Sequence, residues 1–437
     1  MKHVSHLFAA PLPPICHGLA WGTLLLVAMS LNVCHARQDD TPPLYEITGI
    51  TMGKIEYKVL VHRSDPGHVQ TLAEGVAAVL TQINQRMSTY VPESEISRFN
   101  RHREDDWFAV SLDTATVVMR GLEVSAASDG AFDMTVKPLV DRWSFGATER
   151  EFSVPDESEI KALLNQVGYR NLEARTDPPA LRKLIPDLQL DLSAIAKGYA
   201  VDAVADYLSS HGLSDFFVEI GGEICVRGTR ADGLAWRIGI ELPAPDRREV
   251  YKIIELTEGS LAGSGNYRNF WESQGRRFAH TIDPRTGQPI LHEVLSVTVI
   301  AGDCMTADAL ATAVMVVGRE RGAELCHQFN AEMMTISTGP GGQVREWASD
   351  QFPARIDVQL NFDHQSSWRG MIIGGVIVFV LAFAAMAVGT MMGRKPIQGS
   401  CGGMGSGGDA GCSLCGGQPE HCDRTSKMKP TTSDPEP

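Results

Sequence analysis

The uncharged run Gly370–Gly393, GMIIGGVIVFVLAFAAMAVGTMMG, constrains this chain more than any other segment. It is long enough to cross roughly 30 Å of hydrocarbon as a helix. Its glycines and other small residues suit a membrane helix better than a buried soluble one. Arg394 and Lys395 follow it directly, and only Arg369 stands close before it. The positive-inside rule then predicts a cytoplasmic C-terminus. A second apolar run, Gly18–Val33, has the length of a signal-peptide core, with Ala36 as a candidate cleavage position. The same run can also stay on as an uncleaved anchor. A lipidated Cys34 is disfavoured, because Asn32 and Val33 precede it where small residues belong. An export signal in front and an N-out helix behind agree with each other. Residues from 37 to 368 are expected outside the cytoplasm, and the tail inside.

The distribution of charge and cysteine fits that division. The formal net charge of −14, without a basic stripe, argues against a nucleic-acid partner. Of the 9 cysteines, the exported part keeps only Cys225, Cys304 and Cys326, odd in number and far apart. That is no disulfide framework, and the three are expected as small buried residues.

Residues 44–350 alternate between strand-like and helix-like patterns without a long linker. YEITGITMGKIEYKVLVH reads as two strands around a turn at Gly53. HVQTLAEGVAAVLTQINQRM and LDTATVVMRGLEVSAAS carry apolar residues at helical spacing. LQLDLSAIAKGYAVDAVADYLSSHG passes from a short strand into a helix that stops at Gly212. DFFVEIGGEICVRG, WRIGIEL and VLSVTVIA are strand-like, and CMTADALATAVMVVG is a helix. The elements lack the regular βαβ rhythm of a doubly wound sheet, so the fold class is α+β. Phosphate loops of the GxGxxG and GxxxxGK[ST] types are absent.

Five segments ask for more than structure. In TMGKIEY, Gly53 marks either a bulge or a close backbone approach to a ligand. DGAFDMTVKPLVDRW sets two carboxylates and a Phe on a loop after a helix, where a plain helix C-cap and turn is equally consistent. DLSAIAKGY holds Asp191 and Lys197 around a helix start, a place suited to phosphate. Asp191 or Ser193 as an ordinary N-cap is the alternative. FAHTIDPRTGQPI puts His280 just before a tight DPRTG turn; a lone His there is either structural or catalytic. In GDCMTADALATAVMVVG, Asp308 and Thr312 are four apart on a nearly apolar helix. A buried carboxylate needs a partner, and a hard cation such as Mg²⁺ is one; a wet helix face is the other reading.

Taken in order, TMG, MSTY, DGAFD, DLSAIAKGY, VEIGGEI, HTIDPRTG and TADALATAVMVVG resemble the FAD:protein FMN transferases of the ApbE family. The resemblance covers residues 45–350. It implies an α+β domain that takes FAD as substrate, moves the FMN half onto a Thr or Ser hydroxyl of a target protein, and releases AMP. It implies that Met52, Tyr90, Ala131, Phe132, Asp133, Asp191, Lys197 and Ile282 contact FAD. It implies Mg²⁺ held by the carbonyl of Ala194, the carboxylate of Asp308 and the hydroxyl of Thr312. Position 194 is Ala where other members have Thr, and a carbonyl serves from either. His280 and Asp308 are both candidates for the base that takes the acceptor proton. Tyr90 and Phe132 are expected to offer aromatic surface to the flavin.

The C-terminal stretch GRKPIQGSCGG…CSLC…HC resembles a second family, NqrM, small proteins that mature the Na⁺-translocating NADH:quinone reductase. Cys401, Cys412, Cys415 and Cys422 are four thiols in a reducing compartment, suited to iron or zinc. His421 can replace one of them. A redox CxxC or a tail of spare thiols remain as alternatives, and residues 425–437 read as disordered. The implied layout is a signal or anchor at 1–36, a periplasmic transferase domain at 45–350, an inner-membrane helix at 370–393, and a cytoplasmic, iron-handling tail at 394–424. The implied partners are flavinylated subunits of that reductase or of a related electron-transfer complex. FAD hydrolysis without transfer, or a membrane-tethered flavin-binding or assembly scaffold, are the competing functions.

Overall fold

The computed structural model describes residues 43–357, apart from 63–64, 147–150, 274, 340 and 342. The expected segments 1–36, 370–393, 394–424 and 425–437, with the four tail cysteines, lie outside the described residues. Among the described residues no helix is long and apolar enough to cross a membrane.

The centre of the fold is an eight-stranded sheet whose neighbours all run antiparallel. Its strands are β1 (Leu44–Thr51), β2 (Ile55–His62), β3 (Phe216–Ile220), β4 (Glu223–Arg227), β5 (Glu258–Gly265), β6 (Val294–Ala301), β7 (Glu332–Thr338) and β8 (Val344–Ala348). They follow one another across the sheet in chain order, so long excursions leave it and return to its next edge. This is the helix-and-antiparallel-strand mixture that the sequence pattern predicts.

Period-two alternation explains why both faces of the middle strands are covered. Phe216, Val218 and Ile220 of β3 pack into the larger core, with Val59 and Val61 of β2 and Val297 and Val299 of β6. Phe217 points the other way, into a second core with Ile224, Leu261, Trp236 and Ile238. Among the helices that close the first core are α1 (Pro66–Met87), α2 (Ala196–Ser210) and α3 (Cys304–Val317). A three-stranded sheet built on Trp236–Glu241 and Val250–Leu256 closes the second. A third cluster, around Trp143, Ile160, Phe278 and Ile282, lies outside both.

α3 is apolar nearly all round, and a helix of that kind must be enclosed. Asp303 caps its start by accepting from Thr306 N at 2.7 Å, and Gly318, at φ 78°, ends it. α2 starts differently. Its N-cap is Ile195, with no side-chain cap. Asp191 and Ser193 are therefore not the N-cap; Asp191 Oδ1 instead accepts from Ser193 N at 2.8 Å and turns the loop before the helix. The short strand read in LQLDL is reduced to a single bridge, Val136 to Gln189. Cys225, Cys304 and Cys326 are buried free thiols, as expected.

Candidate active site

α2 and α3 cross at Gly198. A Cβ on that residue would stand 2.3 Å from the carbonyl oxygen of Cys304, so only glycine permits this approach. The crossing is held at two points. Asp202 of α2 accepts from Cys304 N and Met305 N, both at 2.8 Å, and so satisfies free donors at the start of α3. About one turn away, back along α2 and forward along α3, Asp308 accepts from Gly198 N at 3.0 Å.

That second contact builds a charged cluster. Lys197 Nζ lies 2.7 Å from Glu223 Oε1 and 3.4 Å from Asp308 Oδ1. Glu223 is 2 % exposed and Asp308 3 %. Burial pushes the Glu223 carboxyl up to about 7, against the pull of Lys197 and with the push of Asp308. Burial alone would lower the Lys197 ammonium, but Asp308 and Glu223 outweigh it and raise it above its ordinary value. Glu223 Oε2 is buried without a hydrogen-bond partner. When Glu223 loses its proton, one ammonium faces two carboxylates, and the negative charge then in excess would be balanced by a further cation.

Lys197 also lines a cavity of about 670 Å³. Its other walls are the β1–β2 turn, the end of α1 with residues 88–91, and the loop carrying Asp191 and Leu192. Met52 sits in the turn with φ 46°, followed by Gly53 at φ 87°. A non-glycine residue there costs roughly 1–2 kcal/mol, so the turn holds Met52 at the cavity wall against a local preference. Residues 88–94 are pinned by Ser88, whose Oγ accepts from Tyr90 N at 3.1 Å and whose carbonyl accepts from Ser94 Oγ at 2.6 Å. Tyr90 is thereby held 69 % exposed at the cavity mouth.

The structure thus gathers Met52, Tyr90, Asp191 and Lys197 around one cavity, with Asp308 behind Lys197. It does not place Ala131, Phe132, Asp133 or Ile282 on that wall. Phe132 is 2 % exposed within the larger core and offers no ring face to a ligand. The Asp133 carboxylate is consumed internally by Thr135 N, Thr135 Oγ1 and Tyr169 N, at 2.7–2.8 Å. Ile282 packs with Trp143 and Phe278. The 131–133 segment still adjoins the cavity loop through its next residue, since Asp191 N donates to Met134 O at 2.8 Å.

His280 follows the strand Arg276–Ala279 and precedes the DPRTG turn between Ile282–Asp283 and Gln288–Pro289. Its Nδ1 lies 3.2 Å from the carbonyl of Asn269. A carbonyl only accepts, so the proton sits on Nδ1 and Nε2 carries the lone pair. Burial, reinforced by Lys197 and opposed by the Asn269 bond, lowers its pKa below 6.5. His280 is therefore neutral and basic at pH 7.

No three His, Cys, Asp or Glu residues among the described residues form a metal-binding group. The oxygen set Ala194, Asp308 and Thr312 is of another kind, one carbonyl, one carboxylate and one hydroxyl. Ala194 stands before the Ile195 N-cap, so its carbonyl takes no bond from the helix, and the Gly198 N–H, a free donor of the first turn, goes to Asp308. Hard oxygen donors beside an excess negative charge fit Mg²⁺.

Glu223 escaped the sequence reading. A Glu just after a Gly-Gly turn looks like an exposed hairpin end. The signal was its strand, EICVR, in which the next three positions are apolar and all of β4 but Arg227 is buried. A carboxylate in such a strand needs a buried cation.

The chain is similar to known proteins of one family. The ApbE family model matches residues 51–336, and a model described as (Na⁺)-NQR maturation NqrM matches residues 390–433. The FAD:protein FMN transferase of Vibrio cholerae serotype O1 is 41 % identical over 327 residues, covering 75 % of this chain and 97 % of that protein. The FAD:protein FMN transferase of Escherichia coli K12 is 34 % identical, covering 72 % and 90 %. The solved structure of flavin transferase ApbE from Vibrio cholerae superimposes with a TM-score of 0.65 at 42 % identity, over 71 % of this chain and 98 % of that one. The apo flavinyl transferase ApbE of Pseudomonas stutzeri gives 0.63 at 37 % identity, over 70 % and 95 %.

Proposed function

Because the chain belongs to the ApbE family, we propose that it cleaves FAD and joins the FMN half to a Thr or Ser of an acceptor protein. The observation that carries this reading is the buried Lys197–Glu223–Asp308 cluster at the wall of the Met52–Tyr90 cavity. Phosphoryl-type transfer depends on positioning and on charge neutralisation more than on covalent help from the protein. The cluster supplies a fixed cation held from behind by two carboxylates.

The acceptor hydroxyl oxygen attacks the FMN-side phosphorus and forms a phosphoester. The bond from that phosphorus to the bridging oxygen breaks, and AMP leaves with the bridging oxygen. The hydroxyl proton goes to Nε2 of His280. Asp308 is the weaker candidate for that proton, since its two oxygens already accept from Lys197 and Gly198. Lys197 offsets charge on the phosphoryl oxygens. Tyr90 and Met52 offer surface to the flavin ring at the cavity mouth. The Ala194 carbonyl, Asp308 and Thr312 would hold Mg²⁺, which when bound neutralises charge building on the pyrophosphate.

The same reading extends to the rest of the chain. The catalytic domain lies in the periplasm, residues 370–393 cross the inner membrane, and Cys401, Cys412, Cys415 and Cys422 handle iron in the cytoplasm. Support comes from the uncharged run, the charges that flank it and the match over residues 390–433. The clients are then flavoprotein subunits of the Na⁺-translocating NADH:quinone reductase.

The test uses the full chain in detergent with FAD, Mg²⁺ and the soluble domain of such a subunit. A fluorescent band on the acceptor, with the mass gain of FMN and loss of both on adding EDTA, is the expected result. AMP without an adduct would make the protein an FAD pyrophosphatase. Neither product would leave a flavin-binding or assembly scaffold.

A further inference from the structure

A second cavity, of about 680 Å³, opens beside the first and shares Lys54 and Ile55 with it. Its floor is the face of the eight-stranded sheet that the helices leave uncovered, and its wall is the Trp236–Glu241 strand with the loop that follows. We propose that this groove is the docking track for an extended segment of the acceptor protein, the segment that carries the modified hydroxyl. The proposal rests on the transferase reading above.

Three observations lead there. First, the groove ends at the reactive cluster. Gly221 lines it, and a Cβ on Gly221 would lie 2.8 Å from Ile55 Cγ2, 3.5 Å from Glu223 Oε2 and 3.8 Å from Lys197 Cδ. The attacking and leaving oxygens must stand roughly in line across the phosphorus. FAD in the first cavity approaches the cluster from the Met52–Tyr90 side, so the hydroxyl needs a second opening, and this groove is one.

Second, the floor is shaped for a backbone. The groove-facing positions of β5 are Leu261, Gly263 and Gly265, at the two-residue spacing of a strand face. The ring of Tyr267 fills the space over Gly265, but a Cβ at Gly263 would meet only Val297 O, at 3.8 Å. Opposite Gly263 and Gly265 in the ladder stand Thr298 and Ser296, short side chains with hydroxyls that can bond to a peptide. The result is a shallow polar channel along a sheet.

Third, its charges are unbalanced. Glu219 and Glu241 are held by Lys58 and Arg268. Lys54 and Arg248 form no ion pair among the described residues, and of the lining carboxylates only Glu56 is left to oppose them. A segment bearing a carboxylate complements that surplus.

The experiment compares Gly263→Val and Arg248→Glu with the unsubstituted full chain, using the same acceptor domain. Valine suits a strand, and the site has room for it. The expected result is an acceptor KM raised about tenfold in each, with FAD KM and acceptor-free AMP release held within about twofold. Acceptor KM within about twofold in both variants would overturn the proposal. A parallel fall in acceptor-free AMP release would also overturn it, by assigning the groove to FAD. Should Gly263→Val fail to fold, Arg248→Glu, on an exposed loop, decides alone. No adduct from the unsubstituted chain would instead remove the transferase reading, and the groove assignment with it.

Discussion

Gly198 gives its backbone N–H to Asp308 Oδ2 across 3.0 Å, and this bond joins the first turn of one helix to the middle of another. It brings the neighbouring Lys197 within reach of Asp308 and makes the buried cluster a property of the helix crossing. The crossing can be attacked through its spacing. In Gly198→Ala the new methyl would meet Cys304 O at 2.3 Å and Met305 Cα at 2.8 Å, both backbone. Overpacking of that kind costs about 1–3 kcal/mol. The expected outcome is a lower melting temperature together with weakened transfer at temperatures where the variant is still folded. An unchanged melting curve and rate would show that α2 and α3 are free to move apart.

Asp308→Ala removes one of the two carboxylates facing Lys197 and strands the Gly198 N–H. An unsatisfied buried donor costs about 1–3 kcal/mol. Loss of an oriented group at the phosphoryl site should lower kcat for FMN transfer by about 100-fold or more. The informative measurement is the Mg²⁺ titration of the residual activity. A weaker apparent Mg²⁺ affinity agrees with Asp308 as a ligand. An unaltered titration curve would move the metal elsewhere.

His280 predicts a pH profile. Its pKa lies below 6.5 because burial disfavours the imidazolium, and Lys197 adds to that. A base must be unprotonated to act, so kcat/KM should fall on acidification with a midpoint below that of an ordinary histidine. His280→Gln should be slower and should lose that acid limb. A limb that persists in His280→Gln would assign it to another group.

Lys183 predicts a dependence of stability on pH, away from the site. It is 1 % exposed, with Nζ 2.8 Å from the carbonyl of Leu188 and 4.7 Å from the Phe99 ring centroid. Burial, helped by Arg103 and opposed by Asp187, lowers it from 10.5 to about 8. Between those values the unfolded chain binds more protons than the folded one, so this residue makes stability rise as pH climbs from about 8 to 10.5. The rise amounts to about 3 kcal/mol at most. Urea unfolding across that range should show a flatter curve for Lys183→Met than for the unsubstituted chain. Parallel curves would mean that Lys183 keeps its ordinary pKa.

Local signals in the sequence were reliable wherever one element decided them. The Met52–Gly53 turn, the helix of Asp308 and the DPRTG hairpin beside His280 all announce themselves by spacing or by turn residues. What could not be read was anything fixed by two distant elements. Glu223 meets Lys197 only because β4 runs beneath the start of α2. Phe132 and Asp133 sit in a motif that looks ligand-facing, yet the chain turns the ring into the core and spends the carboxylate on Thr135 and Tyr169. Asp191 has the chemistry of an N-cap, but the loop it turns ends before the helix begins. In each case tertiary packing chose between two uses that are equal in one dimension.

Asp202, which holds the start of α3 from the side of α2, has a consequence for how this protein can change. The two helices meet like the rails of a ladder with one plain rung and one reactive rung. A shift at either rung is passed to the other, so residues 196–205 and 303–312 are mechanically one part made from two stretches of chain. Variation that repacks one stretch alone would blunt the chemistry without touching a reacting atom. Grafting this site onto another scaffold would require moving both rails together.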